Sequence, residues 1–185
     1  MRDLGLLLMR LTVGGFLAGH GSQKLFGAFE GHGLEGTGGW LESMGLRPGQ
    51  IWAAAAGLGE FGGGTLTALG FLHPVGPLAM LAPMSVAWGR VHWGKPIWAT
   101  AGGAELPAIN LAVALGLALT GPGRYSLDRL FGIRLPAAAA ALTAGCVAAG
   151  TFIALTQPTP APQPQPAQPE RAEELEREAA VTSTL

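Results

Sequence analysis

Charged side chains are scarce in this sequence of 185 residues, since Asp, Glu, Lys and Arg make up 12% of it. That is about half the share found in ordinary globular proteins. The charges are also unevenly spread, because seven of the 23 lie after Pro169. Nonpolar side chains account for 49%, and 30 glycines come in addition. The remaining charges are too few to cover the surface of a water-soluble domain, which indicates an integral membrane protein.

Other scarcities exclude several classes of function. Cys146 is the single cysteine, so the chain has no internal disulfide and no iron–sulfur cluster held by cysteines. Its expected role is that of a small packing residue. The sequence contains no nucleotide fingerprint, no P-loop and no metal-binding Cys/His spacing, and we expect no metal site. A formal net charge of −1 gives no indication of nucleic-acid binding.

Hydropathy predicts five membrane-spanning helices. The clearest is the uncharged stretch from Leu135 to Leu155, which has the length of one bilayer crossing. The predicted spans cover residues 4–29, 50–71, a third segment that starts near Pro74, 100–120 and 135–156. Lys and Arg in the loops favour a cytoplasmic N-terminus, by four residues against three.

We therefore predict an all-α membrane protein with a four-helix transmembrane bundle over residues 1–134. A fifth transmembrane helix follows over residues 135–156. The rest of the chain, residues 157–185, is rich in proline at its start and acidic at its end. Such a composition predicts a solvated tail that is disordered or partly helical.

Antiparallel spans bring the polar residues to two ends of the predicted bundle. One end collects His20, Gln23, Lys24, Arg90, His92, Lys95 and Glu105. The opposite end collects Arg2, Arg124, Asp128 and Arg129, with Arg10 one to two helical turns deeper.

Glu60 lies near the middle of the second span, where an ionised carboxylate is costly unless it is paired. Gly59 and Gly63 flank it as a G-x-x-x-G pair, and such small residues would let the first span approach closely. The first span offers Arg10 and Lys24 on one face, close to four helical turns apart. The sequence leaves open which of the two is the partner, and a purely structural ion pair explains Glu60 as well as a functional one.

Three motifs, taken in order, resemble the DoxX family of small bacterial membrane proteins. They are "GHGSQKLFG" at the end of the first span, "EFGGGTLTALG" in the second, and "GGAELPAINLAVALGLALTGPGRYSLD" in the fourth span and its exit. The resemblance covers about residues 4–130 and implies a four-helix membrane bundle in the bacterial plasma membrane. The family name derives from subunits of a thiosulfate:quinone oxidoreductase, which implies a role beside a redox partner. The matching positions are Lys24, Glu60, Glu105 and the exit loop with Gly121, Pro122, Gly123 and Asp128.

The leading functional hypothesis is a membrane subunit that couples a redox partner to quinone. Lys24, Arg90, His92 and Glu105 would line an amphipathic quinone pocket, and together with Glu60 they are the candidate catalytic residues. The cations would polarise the quinone oxygens, and His92 or Glu105 would relay protons. No redox cofactor of its own is indicated, so the electrons would come from a partner protein or a substrate.

Two other classes of function stay open. The chain could be a non-catalytic membrane anchor or assembly factor for an oxidoreductase complex. It could also be a small proton-linked transporter with Glu60 as its midplane site, although no inverted repeat supports this. The sequence leaves open whether the chain is an enzyme and whether it forms a homo-oligomer.

Overall fold

A computed structural model describes residues 1–159, and over this range the chain is helical without any strand. The prediction of an all-α protein is thereby confirmed. The tail prediction lies outside the described residues from residue 160 onward. The seven helices are α1 (Arg2–Phe26), α2 (Gly33–Ser43), α3 (Gly49–Leu69), α4 (Val75–Val86), α5 (Glu105–Thr120), α6 (Leu127–Phe131) and α7 (Ala137–Thr156).

Two of these helices, α1 and α7, are long and apolar enough to cross a membrane. Helix α5 is apolar but has 16 residues, and α3 has 21 residues but is rich in glycine. The predicted five-span topology, with its four-helix bundle, therefore stays a prediction. A helix lies within or across each of the predicted spans.

Two short π-helical segments interrupt the regular helices. Arg10–Gly14 lies within α1, and Ala87–Val91 extends α4. Each segment contains an arginine, Arg10 in the first and Arg90 in the second. Single π-turns of this kind are frequent at functional sites because they shift the direction of the side chains that follow.

The most extensive helix packing is that between α1 and α3. The glycines that make it are Gly14 and Gly21 on α1 and Gly57 and Gly64 on α3. A Cβ built on Gly21 would lie 2.2 Å from the Phe61 nitrogen, and one built on Gly64 would lie 2.5 Å from the Gly14 oxygen. The two backbones are therefore in direct contact at Gly14, Gly21 and Gly64, where no larger residue fits, whereas Gly57 makes room for the Leu25 side chain.

Neither the Gly59/Gly63 pair nor a second G-x-x-x-G pair, Gly15/Gly19 in α1, makes this contact. A Cβ built on Gly59 or Gly63 would come within 3.2 Å of a backbone oxygen of α4. Nothing lies within 4 Å of a Cβ built on Gly15 or Gly19. The interpretation of Gly59 and Gly63 as contacts to the first span was wrong. Residues seven apart share a helix face, which places the contact at 57 and 64, whereas 59 and 63 point to the next helix.

The other helices surround the α1–α3 pair. Helix α2 packs on α1 and α3, and α4 packs on α3, α5 and α7. One cluster of buried residues joins α1, α4 and α5 and consists of Leu17, Met80, Met84 and Ala114. A second cluster joins the α2 region and α3 to α7 and consists of Leu41, Leu46, Ala53 and Ala154. This second cluster lies beside the cavity described below.

Candidate functional site

Lys24 and Glu60 form a salt bridge across the α1–α3 contact. Lys24 lies in the last turn of α1, and its Nζ donates to Oε2 of Glu60 near the middle of α3. The Glu60 side chain is 5% exposed and that of Lys24 is 25% exposed. The choice that the sequence left open is thus decided for Lys24, whose positive charge offsets the cost of burying the carboxylate.

Arg10 serves a different purpose at the other end of α1. Its guanidinium donates to the backbone oxygens of Pro122, Tyr125 (2.7 Å) and Ala68 (3.3 Å). Arg10 is 3% exposed, although it carries a permanent charge. It therefore fastens the link between α5 and α6 to the end of α3.

The exit loop after α5, which carries Gly121, Pro122, Gly123 and Asp128, is a structural junction. Gly121 and Gly123 have positive φ angles of 90° and 75°, a conformation that favours glycine. Both carboxylate oxygens of Asp128 accept backbone N–H groups at 2.8 Å, from Leu72 and His73. Asp128 thereby joins α6 to the turn between α3 and α4.

His73 lies in that turn and is half-buried. Burial lowers its pKa below the usual value because the charged ring would lose water. A backbone hydrogen bond to Ala118 and the charge of Asp128 act in the opposite direction, and the charge of Arg10 lowers the pKa further. The neutral imidazole is the form that the fold favours.

An apolar cavity of about 460 Å³ lies between α2, α3, α4 and α7. Lys24, Glu60, Arg90 and His92 all contribute to its lining, and the remaining walls are almost entirely apolar. Three of the four residues predicted for a common pocket, Lys24, Arg90 and His92, therefore line one cavity. The fourth, Glu105, does not.

Glu105 begins α5 and turns toward the preceding loop. Its Oε2 accepts the Ala99 N–H at 2.8 Å. The carboxylate thus stabilises the loop between α4 and α5 instead of reaching the cavity. The sequence brought Glu105 to the same end as Lys24, but the local loop geometry decides where its side chain binds.

Arg90 connects two distant parts of the chain at the cavity. Its Nη1 donates to the Gln157 oxygen (2.9 Å) and to Oγ1 of Thr159 (3.2 Å), and its Nη2 donates to the Met44 oxygen (2.9 Å). Because a guanidinium has five N–H donors, some donors remain for a ligand. Arg90 holds the end of α7 against the link between α2 and α3.

His92 has a defined tautomer. Its Nδ1 lies 2.7 Å from the Gly102 oxygen. Since a carbonyl oxygen can only accept, Nδ1 carries the proton, and Nε2 of the neutral ring keeps a lone pair. His92 therefore brings a proton acceptor to the lining of the cavity.

Sequence reasoning missed the aromatic and α7 walls of the cavity. Trp40 and Trp52 line it from α2 and α3, and α7 contributes Thr143, Cys146, Val147 and Gly150. These four positions follow the i, i+3, i+4, i+7 spacing of one helix face. The spacing is visible in the sequence, but nothing there shows which helix this face meets. Among residues 1–159, no group of three or more His, Cys, Asp or Glu is placed to hold a metal ion.

The charge-poor composition and the two apolar helices of spanning length indicate a helical membrane protein. The DoxX family model matches residues 5–93, and this match supports membership of the DoxX family. The matched range includes Lys24, Glu60, Arg90 and His92, whereas Glu105, the exit loop and α7 lie beyond it. Comparison with curated proteins gave no match, and comparison with solved structures gave none either.

Proposed function

We propose that this chain is a membrane subunit that binds the ring of a quinone in the cavity and works with a redox partner protein. The observation that carries the proposal is the common cavity, which combines apolar walls with Lys24, Arg90 and His92. A volume of about 460 Å³ is within the range of small-molecule sites, which are mostly apolar with a few placed polar groups.

The proposed topology completes this picture. Helices α1, α3, α4 and α5 form the four-helix bundle over residues 1–134, and α7 is the fifth span of a multi-pass protein. The N-terminus is cytoplasmic in a bacterial plasma membrane, according to the positive charges of the loops. A cavity with one wall from α7 is then open to the acyl layer, from which a quinone enters sideways.

The roles of the side chains follow from their donors and acceptors. Lys24 and the spare N–H groups of Arg90 donate hydrogen bonds to the quinone oxygens. Reduction of a quinone to a quinol takes up two electrons and two protons. The partner supplies the electrons, and Nε2 of His92 transfers protons between solvent and the ring oxygen. Glu105 has no part in this scheme because it does not line the cavity.

One observation supports a second candidate, the non-catalytic anchor. Lys24 and Glu60 satisfy each other inside the α1–α3 contact, which suits a structural pair that fixes the packing of the two helices. In that case the cavity would bind lipid chains and the loops would hold a partner. The transporter hypothesis gains nothing comparable, because Glu60 is held by Lys24.

The test is quinone binding by the purified chain, followed by quenching of tryptophan fluorescence. Trp40 and Trp52 line the cavity, so a bound short-chain ubiquinone or menaquinone analogue should quench them in a saturable manner. We expect His92→Gln to weaken the binding of the reduced form, the quinol, by about tenfold, because the quinol hydroxyl donates to Nε2 of His92 and one such hydrogen bond contributes about 1.4 kcal/mol. His32→Gln is the matched control, since His32 is exposed and lies outside the cavity.

Two results would contradict the proposal. The first is no saturable quenching in the wild-type chain, and the second is equal affinity of the wild type and His92→Gln for the quinol. If the wild type fails to bind quinone but still co-purifies with an oxidoreductase, the anchor is the better function.

A further inference from the structure

A second cleft lies at the end of the molecule opposite to the candidate quinone site. It has a volume of about 820 Å³ and is formed by the start of α1, the link between α5 and α6, α6 itself and the start of α7. Four arginines line it, and we call it the arginine cleft: Arg2, Arg124, Arg129 and Arg134.

The arginine cleft has a surplus of positive charge. It also contains two carboxylates, but each of them already accepts hydrogen bonds from backbone N–H groups. Oδ1 of Asp3 accepts the Arg124 N–H at 3.0 Å, and Asp128 binds the turn between α3 and α4. Within residues 1–159, none of the four arginine side chains forms a salt bridge. All four are exposed, so their guanidinium groups are accessible to an anion.

Apolar residues complete the arginine cleft. Leu6 of α1, Ile133 and Leu135 before α7, and Ala137 and Ala140 in its first turns all contribute to the lining. Helices α1 and α7 are the two with the length and apolarity of a membrane span, and both begin at this cleft. The arginines therefore lie where an apolar membrane segment meets the polar headgroups.

We propose that the arginine cleft binds the phosphate group of an anionic phospholipid, with the acyl chains against α1 and α7. Guanidinium groups match phosphate oxygens with paired N–H donors, and basic pockets between membrane helices are suited to such headgroups. A freely diffusing anion would use the cations but would gain nothing from the apolar walls. The lipid uses both.

The acidic part of the chain after residue 159 is a less suitable occupant. Helix α7 begins at the arginine cleft and ends at Thr156, and Thr159 contacts Arg90 beside the other cavity. Twenty helical residues span about 30 Å, the thickness of a bilayer core, so in the proposed five-span topology the membrane separates the end of α7 from the arginine cleft.

The test uses the full chain in a mild detergent, with bound lipid counted by native mass spectrometry. Phosphatidylglycerol is titrated against phosphatidylcholine with the same acyl chains and against inorganic phosphate. We expect phosphatidylglycerol to bind about tenfold more tightly than phosphatidylcholine, and inorganic phosphate not to displace it at equal concentration. Equal affinity for the two lipids overturns the proposal. Displacement by inorganic phosphate also overturns it, because the site would then be one for a free anion.

Variants locate the binding. The double variant Arg129→Gln/Arg134→Gln should lower the affinity for phosphatidylglycerol by about tenfold or more. Its matched control is Arg47→Gln/Lys95→Gln, which removes two exposed positive charges outside the arginine cleft. A similar loss in both double variants contradicts the assigned site. If the first double variant does not fold, the affinity for phosphatidylglycerol is measured with Arg129→Lys/Arg134→Lys instead. That variant keeps the positive charges and removes the planar guanidinium donors. Weaker binding in that variant supports the site, and unchanged affinity overturns it.

Discussion

The salt bridge between Lys24 and Glu60 allows a prediction with an internal comparison. Lys24→Met leaves the carboxylate of Glu60, with its side chain 5% exposed, without a partner. Breaking a buried pair in this way costs about 3–5 kcal/mol. Glu60→Met leaves Lys24, with its side chain 25% exposed, and that side chain can turn its ammonium group to water. We therefore expect a smaller loss for Glu60→Met, about 1–2 kcal/mol.

The double variant Lys24→Met/Glu60→Met should be close to the wild type, within about 1 kcal/mol. It removes both charges and leaves an apolar contact of similar volume, a change that is often neutral. The coupling between the two positions is then about 3 kcal/mol or more, at or above the upper end of measured pair energies. The free energy of unfolding can be measured by circular dichroism in mixed dodecylmaltoside and dodecyl sulfate micelles. Lys95→Met, at an exposed position, is the control and should change it by less than about 0.5 kcal/mol.

Either of two outcomes would refute this reasoning. Additive losses in the double variant would mean that the two charges do not depend on each other. A larger loss of stability for Glu60→Met than for Lys24→Met would also refute it. The more exposed side chain, Lys24, would then cost more when left without its partner than the more buried Glu60.

Two further predictions concern helix packing and pH. Gly21→Ala places a Cβ 2.2 Å from the Phe61 nitrogen and should lower the free energy of unfolding by about 2–3 kcal/mol. The control Gly19→Ala has open space at the Cβ and should be neutral or stabilising. If thermal unfolding shows equal losses of stability in both variants, the packing of α1 on α3 is contradicted. Because burial lowers the pKa of His73, the unfolded chain takes up the proton first as the pH falls below 6.5, so stability is lost on acidification. Between pH 7 and pH 5, the free energy of unfolding should fall less in His73→Gln than in His32→Gln, the control at an exposed site. If the free energies of unfolding of the two variants change with pH in parallel, His73 does not contribute to the pH dependence.

Regular helix geometry predicts one polar face on α1, and in the structure both of its basic side chains bond to α3. Fourteen residues are close to four turns, so Arg10 and Lys24 had to share a face. The choice between them depends on how far α3 is shifted along α1. That shift is fixed by direct backbone contacts such as Gly21 against Phe61, next to Glu60. A single sequence contains many glycines but does not show which of them touch, and this is why Gly59 and Gly63 were assigned to the wrong neighbour.

The candidate quinone site was predictable in its charged residues and not in its walls. Antiparallel order brings the end of α1 and the end of α4 to the same level, which places Lys24 near Arg90 and His92. The lateral order of helices is not encoded in hydropathy, so the face of α7 with Cys146 could not be assigned to the cavity. The position of the Glu105 side chain could not be predicted either. Its carboxylate accepts the Ala99 N–H at 2.8 Å and stays in the loop, and a sequence does not show such a local contact.

Helix α7 gives the cavity an order of assembly. The walls from α2, α3 and α4 all come from the earlier part of the chain, and the wall from α7 is synthesised last. Without α7, the cavity formed by α2, α3 and α4 lacks one of its walls. Closure brings the Gln157 oxygen to Arg90, and the same guanidinium already bridges to Met44. Arg90 therefore fixes the last wall of the cavity in place, and a quinone that binds there would enter from the acyl layer beside that wall.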